Sequence, residues 1–165
     1  MIIDTWHNCY PSSWKGKIVP TAFQHPAKFS SRLIRRIYEH IIEEGWVKPG
    51  DVIVDPFGGI ALGALDAMRL GLAWRGVELE AHFADIGNQN IGFWNQKFSS
   101  MPRWSGDALL LQGDSRNLVE ILAAGHAVVS SPPYAETRNA PGGDQRDDLF
   151  RDYHGDGNYG AVISS

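Results

Sequence analysis

Four short stretches of this 165-residue sequence put polar residues where chemistry could be done. The first is Asp55-Pro56-Phe57-Gly58-Gly59, an acid and a glycine turn directly after the apolar run 52–54. Glycines there let the backbone approach a ligand closely and turn tightly into a following helix. The spacing fits neither a P-loop, which needs Lys before Ser or Thr, nor a clean GxGxxG, since the glycines fall at 58, 59 and 63. An acid in that place suits a hydroxyl-rich or electropositive ligand better than a phosphate. The second stretch ends at Glu78, about twenty residues on, where an acid commonly takes a ribose diol through two hydrogen bonds. Glu80 competes with it. The third is Asp114 with Ser115, which could accept from an adenine amino group or simply cap the next helix. The fourth is Ser131-Pro132-Pro133-Tyr134. Two prolines fix a stiff extended exit and leave only carbonyl acceptors. The Ser131 hydroxyl and the Pro132 carbonyl can meet at one small polar group, while Tyr134 offers a ring to a planar one. That describes a pocket for a flat, amino-bearing substrate.

The elements that must position these residues alternate. Residues 1–29 read as irregular, with prolines at 11, 20 and 26. "SSRLIRRIYEHIIEEG" then places Leu33, Ile34, Ile37, Tyr38, Ile41 and Ile42 on one helical face, with Ser30 or Ser31 as its cap and Gly45 as its stop. The order that follows is strand 52–54, helix 61–70, strand 72–80, helix 81–93, strand 108–114, helix 115–125 and strand 126–131, with 95–106 as a loop. Such alternation predicts an α/β fold with a parallel sheet and helices on both faces, and such sheets bind ligands beyond the carboxyl ends of their strands. Periodicity then collapses, and the polar, glycine-rich 137–160 is expected to be a flexible loop. Residues 161–165, "AVISS", echo "AVVSS" at 127–131 but stop where a second Pro-Pro-Tyr would be needed.

Bulk properties narrow the classes. The length suits one domain spanning 1–165, and an apolar share of 43% is globular. There is no apolar run long enough for a membrane span and no basic-then-apolar leader, so a cytoplasmic protein is expected. One cysteine, Cys9, leaves no internal disulfide and no cysteine-based zinc cluster. The six histidines do not cluster, so no metal is expected. A net charge of -4 argues against a basic groove over the whole molecule. Residues 1–48 do hold seven Lys and Arg against four acids, so a basic surface could sit near the N-terminus. On the first helix, Arg32, Arg35 and Arg36 either touch phosphate or form a solvated face.

On these blocks the sequence resembles the amino-methylating DNA methyltransferases, which modify N4 of cytosine or N6 of adenine using S-adenosylmethionine. "DPFGG" resembles their methionine-site loop, and Ser131-Pro132-Pro133-Tyr134 resembles their catalytic tetrapeptide. "HPAKFSSRLIRRI", which includes His25, Pro26 and Phe29, resembles the block preceding the helix beside the cofactor. The resemblance spans residues 25–134. It implies a Rossmann-like methyltransferase fold, incomplete at about four to five strands where the family has seven. It also implies Glu78 on the ribose and Asp114 with Ser115 near the adenine. His25, Pro26, Phe29, Asp55, Pro56, Phe57, Gly58 and Gly59 would complete the cofactor site, with Ser131, Pro132, Pro133 and Tyr134 catalytic.

The implied mechanism flips a DNA base onto Tyr134 and aligns its amino nitrogen for direct transfer. Serine at the first tetrapeptide position leans toward cytosine. The sequence departs from the family at "GGIALG", where a Gly-Ser-Gly run is usual, and leaves no room for a target-recognition region. The expected partner is DNA, with a homodimer or second chain supplying missing strands. The alternatives are a fragment or accessory subunit that binds the cofactor without gripping DNA, and an RNA N2-guanine methyltransferase, whose tetrapeptide usually begins with Asn or Asp.

Overall fold

The computed structural model describes residues 5–10, 13–26, 28–121 and 125–131. Its strands are β1 (Val52–Asp55), β2 (Ala73–Glu78), β3 (Ala108–Gln112) and β4 (Ala127–Val128), and its α-helices are α1 (Ser31–Glu43), α2 (Leu62–Arg69), α3 (Ala81–Phe98) and α4 (Leu118–Ile121). Short 3-10 turns cover Pro20–Gln24 and Ser115–Asn117. The chain divides into two units, Asn8–Pro132 and the remainder, Met1–His7 with Pro133–Ser165. All these elements lie in the first unit, and only residues 5–7 of the second are described. The expected flexible loop at 137–160 and the echo strand at 161–165 fall outside the described residues.

The strands pair in parallel in the order β3-β2-β1-β4, and helices flank them. This is the predicted α/β sheet with four strands. Several boundaries differ from the sequence reading: β2 and β3 end two residues early, at Glu78 and Gln112, and the helix expected over 115–125 begins as a 3-10 turn. Helix α3 runs five residues past 93, because Trp94 is fully buried and Phe98 continues the apolar face one turn on. Strand β4 is shorter than 126–131, although the His126 N–H to Val52 O and Val129 N–H to Val54 O bonds (2.8 and 3.0 Å) flank it. At the start of α1, Ser30 occupies the cap position without capping the helix; its hydroxyl donates to the Cys9 carbonyl. Gly45 does stop the helix, with φ of 73° and Trp46 N–H bonded back to Ile41 O.

The core is centred on Trp74, which is fully buried on β2. Its indole lies along the strand over Gly76 and reaches the turn at Gly58 and the first turn of α2 at Gly63. A methyl group on Gly76 would sit 2.1 Å from Trp74 Cη2, and one on Gly58 or Gly63 would meet the same indole at 3.3 or 3.1 Å. Leu110 from β3 closes the remaining side, 2.6 Å from the place of a Gly58 methyl. Gly76→Ala therefore overpacks the sheet and is expected to cost roughly 1–3 kcal/mol in chemical denaturation. Gly92→Ala on α3 meets open space and should instead stabilise by roughly 0.5–1 kcal/mol.

Candidate functional site

Strand order reverses at β1. The chain steps from β1 to β2 to β3 on one side, then returns past β1 to β4. A crevice opens beyond the carboxyl ends at such a reversal, and it is the usual ligand position of an open parallel sheet. Asp55 ends β1, and the register of Val54 against Val128 brings the exit of β4 level with it. There the Ser130 hydroxyl donates to Asp55 Oδ1 at 2.6 Å, and the Phe57 N–H donates to the same oxygen at 3.0 Å. The carboxyl is 2% exposed.

The glycine loop is pinned on every side. Gly58 N–H donates to Val77 O at 2.8 Å, and Gly59 N–H donates to Glu78 Oε2 at 2.9 Å. The other carboxylate oxygen of Glu78 takes the Glu80 N–H at 2.9 Å, while Glu80 itself is exposed at the start of α3. Of the two competing acids, Glu78 is the one on the loop. Ala61, which leads into α2, is left-handed at φ 63° although it carries a Cβ. Such a conformation costs about 1–2 kcal/mol and persists only where surroundings impose it. Buried Asn90 supplies part of that constraint: its amide donates to Ile60 O at 3.0 Å and accepts from Val19 N–H at 2.9 Å. His25 stands beside the loop, with Nε2 3.5 Å from where a Gly59 methyl would lie and its ring edge-on to Phe83 at 4.5 Å between centroids.

The other predicted residues divide. Pro56 is half-buried in the loop, and Phe57 is exposed on its rim with Leu79. Pro26 is exposed beside His25. Phe29 packs against the core, and its carbonyl takes the Trp14 indole N–H at 2.7 Å. Asp114 caps the 3-10 turn, accepting from Arg116 N–H at 2.9 Å; the Arg116 guanidinium pulls its carboxyl down to about 2. Ser115 follows it, half-buried in the 3-10 turn. Ser131 is exposed at the last described position, and Pro132, Pro133 and Tyr134 lie outside the described residues. Two residues escaped the sequence reading. Ser130 was legible only as the first half of a serine doublet, and Asn90 as one polar residue on a helix. Parallel register between the first and last strands would have pointed to Ser130.

Burial is the largest influence on Asp55 and pushes it up from 3.8 to about 6. The hydrogen bonds from Ser130 and Phe57 oppose the rise, and Glu78 adds repulsion. The folded value lies above the ordinary one, so the stability from this group is fully present below about pH 4 and lost as pH rises through 6. Asp55→Asn should abolish that fall, raising stability at pH 7.5 by up to about 3 kcal/mol while leaving pH 3.5 nearly unchanged. Denaturation at the two pH values checks it.

No family model and no curated protein matches the sequence. Solved structures do match the fold. TrmN from Thermus thermophilus is 15% identical with a TM-score of 0.52, covering 71% of this chain and 32% of its own. The candidate RNA methyltransferase PH1948 from Pyrococcus horikoshii is 18% identical with a TM-score of 0.52, covering 81% and 60%. The rRNA methyltransferase aviRa from Streptomyces viridochromogenes is 11% identical with a TM-score of 0.55, covering 84% and 74%. The chain thus spans about a third of the TrmN structure and three fifths of PH1948. Its four described parallel strands and flanking helices share the fold of these three structures.

Proposed function

We propose that the chain transfers a methyl group from S-adenosylmethionine to an exocyclic amino group of a DNA base, N4 of cytosine or N6 of adenine. The observation that carries this reading is the pair of acids on one glycine loop at the strand-order reversal, Asp55 inside and Glu78 on the loop amides. Their chemistry fits the cofactor at both ends. Glu78 has two carboxylate oxygens on N–H donors and accepts well from a ribose diol. Asp55 supplies negative charge beneath the loop for the cationic methionine end. Gly59, left-handed and packed beside His25, offers bare backbone at a position where an L side chain would be strained.

When bound, the cofactor supplies an electrophilic methyl on a sulfonium. This chain's residues hold and orient. The Ser131 hydroxyl and the Pro132 carbonyl take the amino hydrogens and leave the nitrogen lone pair free, while Tyr134 stacks on the flipped base. No covalent intermediate on the enzyme is needed. A second reading, methylation of an RNA base, is favoured by the names of aviRa and PH1948. A binding-only subunit is the third.

Labelled S-adenosylmethionine offered with duplex DNA or RNA, followed by nucleoside digestion, separates the three. Label is expected in DNA, in N4-methylcytosine. N6-methyladenine would reassign the base, methylated RNA would establish the second reading, and cofactor binding without label would establish the third. Glu78→Ala should weaken cofactor affinity roughly 10–100-fold by calorimetry, the worth of one to two charge-assisted hydrogen bonds. Glu78→Gln, which keeps an acceptor for Gly59, should lose less.

A further inference from the structure

We propose that Ser130 is a positioning residue that couples the glycine loop to the exit of β4 at 129–131, so that filling the loop orders the segment leaving the sheet. Its ligand, S-adenosylmethionine, rests on the methyl-transfer reading above; the coupling itself rests on geometry.

Two donors from different parts of the chain share one oxygen. Asp55 Oδ1 accepts the Phe57 N–H from the glycine loop and the Ser130 hydroxyl from β4, residues 75 apart in sequence from the acid to the serine. Moving the loop amide therefore moves the anchor of the β4 exit. That exit has little else to fix it. β4 is two residues long, Val128 is 66% exposed, and the ladder bonds reach only to Val129 N–H on Val54 O. A side-chain bond to a buried carboxylate is strong beside such a ladder, because charge-assisted bonds are about twice as strong as neutral ones.

The groups facing Asp55 give the coupling its sense. They are the Ser130 hydroxyl from the β4 exit, the Phe57 amide from the loop, Glu78 from β2 and Tyr38 from α1. Among the described residues, one acid and one phenol face it, and no cation does. Near pH 6, where Asp55 titrates, a cationic ligand arriving at the loop favours the ionised carboxylate, and the ionised form is the better acceptor for Ser130. Ligand binding therefore tightens the hold on the β4 exit.

Amide hydrogen exchange in the full chain tests this with Ser130→Thr and Ser130→Val, which differ in shape by little and in chemistry by the hydroxyl. Without ligand, the Val variant should exchange about tenfold faster than the Thr variant at 129–131 and at Phe57. Equal rates would overturn the proposal. With S-adenosylmethionine, wild type and Ser130→Thr should gain protection at both 57–61 and 129–131, and Ser130→Val at 57–61 alone. Protection reaching 129–131 in the Val variant, or failing to reach it in wild type, would also overturn it. If Val overpacks and unfolds the chain, Ser130→Ala against wild type makes the same comparison. Should calorimetry find no cofactor binding to wild type, the methyl-transfer reading falls, and the ligand-free rates alone decide the coupling.

Discussion

The close approach of the Trp74 indole to three glycines is the contact on which the rest of the described fold depends. A full indole lying flat along β2 leaves no space for a Cβ at Gly76 and crowds one at Gly58 or Gly63, where Leu110 and the Tyr38 hydroxyl stand closer still. The spacing of glycines around β1 and α2 is thus dictated from beneath as much as by any ligand above. The ring end fixes the height of the turn after β1, and the indole nitrogen fixes the start of α2. With the loop held at that height, Gly59 N–H comes within reach of Glu78, and Phe57 N–H within reach of Asp55. Hydrophobic packing at the centre of the sheet sets the hydrogen bonds at its edge.

On that framework the electrostatics are deliberately unbalanced. Asp55 lies buried with Glu78 as a near neighbour and only neutral donors on its oxygen. The other buried acid, Asp66 in α2, is treated differently: Arg69 stands 3.3 Å away and offsets part of its burial. One acid has a cation on its own helix, and the other faces none among the described residues. Functional sites commonly carry this kind of uncompensated group.

Much of the fold was legible because its signals are local. The apolar face of α1, the alternation of strand and helix, and the strand-end acids depend on residues close in sequence. The misjudged features depend on partners far away. The end of α3 was placed too early because the burial of Trp94 comes from packing that periodicity over a short window does not weigh. Ser30 looked like a cap, but the Cys9 carbonyl, 21 residues upstream, claims its hydroxyl. At the site, the glycine loop and Glu78 were readable as motif and spacing. Ser130 and Asn90 were not, since each acts across more than twenty residues on a partner that composition does not mark.

The sheet order also governs when the site can exist. β4 is the last of the four described strands yet lies against the first, so the Asp55–Ser130 contact closes a loop containing both intervening strands. Such long closures cost entropy that only late packing returns, and they form slowly. During synthesis, Asp55 must wait with its carboxyl in water while β2 and β3 are made and join the sheet. Its hydrogen bond to Ser130 cannot precede the making of β4. In a growing chain the first three strands can pair before that contact exists.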